Sequence, residues 1–352
     1  MPNNGKVKPG YKRTLDLKHG CVEMVHGNGG RSMAQLIQQM FVAAFDNEFL
    51  RLMNDQACFP VFGGRMVMST DSHVVTPLFF PGGDIGSLSI HGTINDIVMS
   101  GAKPCYLAAS FILEEGFPLA DLKRIVDSMA QATKAARVPI VTGDTKVVEK
   151  NSGDGVFITT TGIGMVPEGI YISCENARPG DKILVSGTLG DHGIAIMAWR
   201  ENLSFQTNIE SDTAPLHDLV AKMISTTSNI HVLRDPTRGG VASALNEIAQ
   251  QSSVGMMLYE NKLPILEQVQ AACEFLGFDP LYIANEGKLI AICAAEDAEN
   301  LLNAMQAHPL GNNAAIIGEV IEDTHCFVQM QTRFGGKRVV DWLNGEQLPR
   351  IC

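Results

Sequence analysis

The sequence has no cysteine pair of the C-x-x-C kind and no long apolar run. Its eight cysteines are scattered over 352 residues, which favours neither a zinc site nor a disulfide framework. The longest apolar stretches, such as 289–295, are far shorter than the roughly 20 residues that a transmembrane helix needs. The N-terminal stretch also has no apolar signal-peptide core. We therefore expect a cytoplasmic protein that makes no membrane contact.

Basic residues are few as well. The chain has 27 Lys and Arg against 38 Asp and Glu, a formal net charge of -11. Nucleic acids and anionic membranes need a basic face, so neither is an expected partner. The negative charge does not exclude small anionic ligands, because a metal ion could bridge them to carboxylates. With 45% hydrophobic residues, the chain can bury sizeable cores.

Helix-like and strand-like segments alternate in both halves, which predicts an α/β or α+β fold. A sharp turn at 177–181 is the candidate domain boundary. The predicted organisation is a disordered leader at 1–22, domains at 23–176 and 177–332, and a tail at 333–352. Within the tail, 339–343 is a possible short helix.

Several aspartates stand at predicted strand ends and helix starts. Asp71, Asp84, Asp96 and Asp235 could converge on Mg²⁺, which favours carboxylates together with substrate phosphates. Asp144 follows another strand and is a fifth candidate. Aspartates also occur in turns and helix caps without further function, and that alternative stays open for each. It is weakest for Asp96, because an unpaired carboxylate is costly within an apolar helix.

Two glycine-rich segments could bind phosphate through backbone N–H groups. The first lacks the Lys of a Walker A motif and could be an ordinary mobile loop. The second precedes a helix, where free N–H groups and the helix dipole favour anions, although it could also be a plain helix-start turn. The residues are Gly27, Asn28, Gly29 and Gly30 in the first segment, and Thr237, Arg238, Gly239 and Gly240 in the second.

Three further residues could carry chemistry. Lys146 could neutralise a transferring phosphoryl group, although most lysines are simply exposed. Glu286, between two strand-like segments, could be a base or a solvated turn residue. Cys352 is the last residue, and a thiol placed there suggests that it carries a covalent group, although a terminal cysteine could also be accidental. His91 and His192 are weaker candidates, since core or turn histidines with structural partners are more common.

Taken together, the motifs resemble the HypE family of hydrogenase maturation proteins, the carbamoyl dehydratases. The resemblance extends from about 23 to 352. Some of its motifs occur throughout the superfamily of aminoimidazole ribonucleotide synthetase, selenophosphate synthetase and thiamin-monophosphate kinase, whereas the terminal PRIC is specific to HypE. The motifs are HGNGG, STDS, FFPGGDIG, NDIVMSGAKP, FILEEG, TGDTKVV, SGTLGDHG, RDPTRGG, ANEGK, HPLG, IGEV and PRIC.

This resemblance implies a two-domain PurM-like fold that forms a homodimer, with the N-terminal domains paired into a barrel and ATP in a nearby cleft. It implies that a HypF carbamoyltransferase loads a carbamoyl group on the terminal thiol. ATP-dependent dehydration then yields a protein-bound thiocyanate. The cyanide passes through a HypC–HypD complex to the iron of [NiFe]-hydrogenase.

The resemblance also implies roles for the candidate residues. Cys352 would be the carrier, and Glu286 the base with Lys146 as second choice. Lys146→Ala should keep carbamoylation and stop dehydration. The metal ligands would be Asp71, Asp84, Asp96 and Asp235, and ATP would contact Asp71, Asn95, Asp144, Lys146 and both glycine-rich segments.

Two other functions are compatible with these residues. A kinase or synthetase of the same superfamily would act on a free small molecule and would not need Cys352. A non-enzymatic assembly platform would bind no ATP and would tolerate Asp96→Ala.

Overall fold

The structure, a computed structural model, describes residues 15–26, 31–51, 64–201, 209–343 and 351. In the N-terminal half, four strands form a sheet in the order β1-β6-β4-β5, and β2 and β3 form a separate short hairpin. The strands are β1 (Arg65–His73), β2 (Phe79–Phe80), β3 (Gly83–Asp84), β4 (Lys103–Glu114), β5 (Ile140–Val148) and β6 (Val156–Val166).

The helices of this half lie against one face of the sheet. They are α1 (Arg31–Leu36), which continues through a π-helical segment (Ile37–Val42) into α2 (Ala43–Phe45), then α3 (Glu48–Arg51), α4 (Ile85–Val98) and α5 (Leu119–Ala136). Along β6 every second residue is buried, as expected for a sheet covered on one face only. Helices α4 and α5 pack closely, since a Cβ at Gly86 would lie 2.4 Å from the Ile125 carbonyl oxygen.

A seven-stranded sheet forms the C-terminal half, in the order β13-β12-β9-β11-β7-β10-β8. Only the β12–β9 pair is parallel; the other neighbours run antiparallel. The strands are β7 (Lys182–Val185), β8 (Ile230–Arg234), β9 (Gly255–Tyr259), β10 (Ile290–Cys293), β11 (Ala315–Ile321), β12 (Val328–Gln331) and β13 (Lys337–Val339).

Helices cover both faces of the seven-stranded sheet, so its central strands are apolar on both sides. Val185 of β7 packs with α8, whereas its neighbour Leu184 packs with α7 and α10. Residues of α6 and α9 instead join the core of the N-terminal half, which ties the two halves together. The helices are α6 (Asp191–Arg200), α7 (His217–Thr226), α8 (Gly240–Ser252), α9 (Glu267–Leu276) and α10 (Ala298–Gln306).

The structure differs from the sequence prediction at two places in the C-terminal half. Strand β8 was not predicted, because its five residues carry a histidine and end in an arginine. The possible helix at 339–343 is wrong: β13 pairs with β12, and Val340 is fully buried. This strand lies within the predicted tail. In the described ranges, no helix is long and apolar enough to cross a membrane.

Candidate active site

A cleft of about 500 Å³ lies between the two halves of the chain. Strand β1 and helix α4 line one side, and the turn after β8 lines the other. The polar residues that line it include Ser69, Asp71, Asp96, Arg234, Asp235, Thr237, Arg238 and Glu286. The structure therefore brings together three of the four predicted metal ligands and the predicted base, although they are far apart in the sequence.

Asp71 lies on the face of β1 that packs against α4. It pairs across the sheet with the buried Thr160, and its Oδ2 lies 3.6 Å from His73 Nε2. Burial lowers the pKa of His73, so this imidazole is neutral and does not cancel the carboxylate charge. The sequence predicts a strand end at Asp71, whereas β1 continues for two more residues to His73.

Asp96 extends from α4 toward the same cleft. Ser69 Oγ donates a hydrogen bond to its Oδ2 at 2.7 Å. Burial, followed by the charge of Asp235, raises the pKa of Asp96 to about 7. Burial also raises the pKa of Asp235. Two carboxyl groups in one poorly solvated cleft therefore oppose each other's ionisation, and a bound cation would relieve this repulsion.

Glu286 lies at the inner end of the cleft and is only 4% exposed. Its backbone N–H donates to Asp212 Oδ1 at 3.0 Å, and its carbonyl accepts from Asn95 Nδ2 at 3.0 Å. The backbone is thus held from both sides. Burial first, and then the charges of Asp212 and Asp235, raises the side-chain pKa well above its usual range. Among the described residues, Oε1 has no hydrogen-bond partner.

A buried carboxylate oxygen without a partner is costly unless something else binds it. The cluster suits a cation, but its geometry is incomplete. In the part of the chain that the structure describes, no three Asp, Glu, His or Cys side chains converge as metal ligands. Mg²⁺ commonly needs only one or two carboxylates when substrate phosphates complete its shell, so the donor set fits a shared metal.

The backbone conformation after Arg238 requires glycine at two successive positions. Gly239 and Gly240 have φ of 78° and 59°, in the left-handed region. A Cβ at Gly240 would lie 2.5 Å from the Leu281 carbonyl oxygen. The pair therefore lets the chain turn into α8 beside another backbone segment, while Thr237 and Arg238 face the cleft.

Asp144 and Lys146 were predicted to line this cleft, and within one chain they do not. Asp144 lies beside Ser110, which pairs with Thr159, and Thr159 pairs with Ser72. Paired residues share a face of a sheet, and successive residues alternate between faces. Asp144 and Lys146 therefore lie on the face opposite to Asp71. Asp144 instead lines a second cavity of about 440 Å³ at the β5 edge.

Two other candidates have structural partners. Asp84 is the N-cap of α4: its Oδ1 accepts from Gly86 N–H at 2.7 Å and from Ser87 N–H at 3.0 Å. It is not among the residues that line the cleft. The alternative of a helix cap therefore holds for Asp84.

Asn95 is buried and bonded to backbone at both ends of its amide. Nδ2 donates to the carbonyls of Ala214 and Glu286, each at 3.0 Å, and Oδ1 accepts from Leu216 N–H at 2.8 Å. Since these bonds occupy the amide, we withdraw Asn95 as an ATP ligand. Its position instead ties α4 to the C-terminal half.

Gly27, Asn28, Gly29, Gly30 and Cys352 lie outside the described residues. The neighbour of Cys352 is described: Ile351 is 4% exposed and packs into the core of the N-terminal half. Its carbonyl oxygen accepts a hydrogen bond from His192 Nε2 at 2.6 Å. A short segment that includes Ser211 and Asp212 links this contact to Glu286.

Sequence reasoning missed Ser69, Ser211, Asp212 and Lys288. Asp212 Oδ2 lies 3.0 Å from Lys288 Nζ, and both side chains are nearly inaccessible. The sequence TNIESDTAP around Asp212 resembles any polar connection between helices. Only the packing against Glu286 distinguishes this aspartate from the others, so no local pattern could have identified it.

Known proteins resemble this chain along almost its whole length. Residues 53–166 and 178–331 match the N-terminal and C-terminal domains of the AIR synthase related proteins. The carbamoyl dehydratase HypE of Cupriavidus necator is 69% identical over 99% of this chain and all of its own.

Two solved structures share the fold. One is a hydrogenase maturation protein HypE in complex with ATP, 48% identical, with a TM-score of 0.91 over 94% of this chain and 99% of its own. The other comes from a HypE–HypF complex and is 53% identical, with a TM-score of 0.78 over 88% of this chain and 99% of its own.

Proposed function

This chain belongs to the HypE family of carbamoyl dehydratases that serve hydrogenase maturation, and we propose that its interdomain cleft performs the dehydration on the terminal Cys352. Two observations on the structure support this assignment. The acidic cleft contains the buried Glu286, whose Oε1 has no hydrogen-bond partner in the described ranges. The residue that precedes the terminal thiol, Ile351, is buried and bonded to His192.

The chemistry requires an amide oxygen to leave, which it does poorly. Transfer of the γ-phosphoryl group of ATP forms a P–O bond to the carbamoyl oxygen and releases ADP. The C–O bond then breaks, phosphate leaves, and both protons leave the nitrogen, so that a thiocyanate remains on sulfur. The protein must position the phosphoryl group, neutralise its charge and accept protons.

Glu286 is the proposed proton acceptor. Its raised pKa makes its carboxylate a stronger base than an ordinary glutamate, and Oε1, which has no hydrogen-bond partner among the described residues, can receive a proton. The hydrogen bonds to its backbone from Asp212 and Asn95 hold it in place. Arg238 and Thr237 line the same cleft, and we expect them to contact phosphate oxygens.

ATP is the proposed phosphoryl donor, and Mg²⁺ its proposed counter-ion. Asp71, Asp96 and Asp235 would hold the metal, which would neutralise phosphate charge. The raised pKa of Asp96 and Asp235 supports this role: burial is the main cause for both, and the charge of a neighbouring aspartate adds to it, so a bound cation would favour their ionised forms. The same argument explains how an acidic protein could bind an anion.

A second copy of the chain is the proposed occupant of the outer face of the N-terminal sheet. This face exposes large apolar side chains: Met66 is 54%, Met68 69% and Ile112 42% exposed. It also carries Asp144 and Lys146. Pairing of two such sheets into a barrel would bury the apolar side chains, and would allow these two residues to reach the cleft of the other copy.

We further propose that a HypF carbamoyltransferase loads the thiol and that a HypC–HypD complex receives the cyanide. A similar chain in complex with HypF supports the first partner. A cytoplasmic location is supported by the free thiols of Cys21, Cys105, Cys174 and Cys326. A small-molecule kinase is not favoured, because the HypE relatives match over the full length.

The test is the intact mass of the protein after incubation with carbamoyl phosphate, HypF and ATP. One carbamoyl adduct should form first, followed by the ATP-dependent loss of one water. Cys352→Ala should abolish both changes. Cys21→Ala is the matched control, because this other cysteine is exposed, and it should leave both unchanged. An adduct that persists in Cys352→Ala would contradict the proposal.

A further inference from the structure

His192 makes a polar contact through each ring nitrogen. It is the second residue of α6 and is fully buried, with its ring edge against Phe80 at a centroid distance of 5.7 Å. Nε2 lies 2.6 Å from the Ile351 carbonyl oxygen, and Nδ1 lies 2.7 Å from Ser211 Oγ. A histidine that only filled space would not need both contacts.

The partners determine which nitrogen carries the proton. A carbonyl oxygen only accepts, so Nε2 must be the donor toward Ile351. Burial lowers the pKa of His192, which leaves the ring neutral, and Nδ1 is therefore an acceptor. Ser211 must donate its hydroxyl proton to Nδ1, and its Oγ accepts from Thr213 N–H at 3.2 Å. The three hydrogen bonds therefore form one chain in which each group donates to the next, from Thr213 through Ser211 and His192 to Ile351.

The residues around Ser211 also contact the proposed base. Ser211 N–H donates to the Pro81 carbonyl at 2.8 Å, which anchors the segment to the N-terminal half. Its neighbour Asp212 accepts from Glu286 N–H at 3.0 Å and binds Lys288 Nζ at 3.0 Å. The segment 211–213 therefore connects the carbonyl of Ile351 to the backbone of Glu286.

We propose that His192 is a positioning residue: it holds the Ile351 carbonyl beside the segment that contacts Glu286, and thereby restricts the range of the reacting thiol on the next residue. The inference rests on the proposed function, in which Cys352 carries the carbamoyl group. Cys352 follows Ile351 directly, and a trans peptide keeps consecutive Cα atoms about 3.8 Å apart. A fixed carbonyl therefore confines the thiol, and confinement of a reacting group is a major source of catalytic rate.

Limited trypsin digestion of the full-length protein tests the contact directly. Cleavage between Arg350 and Ile351 releases a dipeptide, which intact mass detects, and it requires the tail to leave His192. We expect His192→Ala to raise the initial rate about fivefold to tenfold, the effect of losing one hydrogen bond of about 1 kcal/mol. Cleavage after the exposed Arg333 reports any general loosening of the fold.

Conservative variants of His192 distinguish the effect of losing its hydrogen bond from the effect of losing its packing. His192→Gln places an amide N–H near the position of Nε2 and should remain within about twofold of wild type, whereas the shorter His192→Asn should behave like His192→Ala. Ser211→Ala, which removes the donor to Nδ1, should raise the rate by a smaller factor. An unchanged rate in folded His192→Ala, or equal rates for the Gln and Ala variants, would overturn the proposal.

The catalytic readout is the single-turnover dehydration of the carbamoylated protein. His192→Ala should lower the single-turnover rate constant at saturating ATP and leave the ATP concentration for half-maximal rate unchanged, whereas a general structural defect would alter both. Trypsin digestion needs neither ATP nor a carbamoyl group. A wild-type protein that never loses water would therefore refute the proposed function and leave the His192 contact standing, while equal trypsin rates would refute the contact alone.

Discussion

At the scale of single residues, Glu286 shows how surroundings change an ordinary side chain. Asp212 and Asn95 fix its backbone, while burial and four neighbouring carboxylates raise its pKa. Its carboxyl group remains available, because Oε1 has no partner in the described structure. These conditions are typical of a catalytic acid or base rather than of a structural glutamate.

Glu286→Gln should keep ATP binding and lower the dehydration rate by roughly 10²–10⁴, the usual contribution of a general base. The substitution preserves shape and removes a buried ionisable group, so the unfolding midpoint should not fall. Single-turnover mass spectrometry and thermal unfolding measure these two effects. Glu319→Gln, which removes a carboxylate bound to Lys182 outside the cleft, is the matched control. Rapid dehydration by Glu286→Gln would exclude it as the base.

At the scale of elements, α4 organises the site through its periodicity. Residues four apart share a helix face. His91 and Asn95 therefore point toward the C-terminal half, where they contact Thr213 and the backbone of Ala214 and Leu216. Asp96 and the small Gly92 face β1, which leaves room for Asp71 and His73. One helix thus joins the two halves and supplies a carboxylate to the cleft.

His91 should make the protein sensitive to acid. Burial, together with the nearby His217, lowers its pKa from 6.5 to about 4. Between these values the unfolded chain binds a proton that the folded chain does not, so stability decreases as the pH falls from 6.5 toward 4. The expected contribution at pH 4.5 is about 2–3 kcal/mol.

Urea unfolding at pH 7 and pH 4.5 measures this contribution. The loss of unfolding free energy between the two pH values should be about 2–3 kcal/mol smaller in His91→Gln than in wild type. His325→Gln, at an exposed position, is the matched control. Parallel losses in wild type and His91→Gln would show that His91 does not cause the acid sensitivity.

At the scale of the whole molecule, the candidate site residues lie on two faces of one sheet. Asp71 lies on the inner face and opens into the cleft, while Asp144 and Lys146 lie on the outer face beside exposed methionines. A single chain cannot bring both sets to one substrate. The proposed dimer would solve this problem, because each copy would supply its outer face to the other.

Mixed dimers test that arrangement. Lys146→Ala and Glu286→Gln should each be inactive alone. After the two variants are unfolded and refolded together, about a quarter of wild-type dehydration should return, because half of the dimers are mixed and each has one intact site. Size-exclusion chromatography with light scattering verifies the dimer. If Lys146 acted on its own chain, no mixed dimer would have an intact site, and activity would stay absent.

Much of the fold follows from the local pattern. The β-branched residues at 156–166 predicted strand β6, and apolar residues at a helical spacing predicted helix α5. Strands β8 and β13 were not predicted. The first is interrupted by polar residues, and the second depends on its pairing with β12, which a local pattern does not contain.

The sequence by itself determined the family, the two α/β halves and the acidic candidates Asp71, Asp96, Asp235 and Glu286, because motifs and periodicity are local. Tertiary structure alone decided which of these residues meet. In the folded chain Asp84 caps helix α4, and the Asn95 amide is bonded to the backbone. Lys146 lies on the face of the N-terminal sheet opposite to Asp71, since strand pairing sets the direction of each side chain. Tertiary structure also brought His192 into contact with Ser211 on one side and with Ile351, 159 residues away in the sequence, on the other.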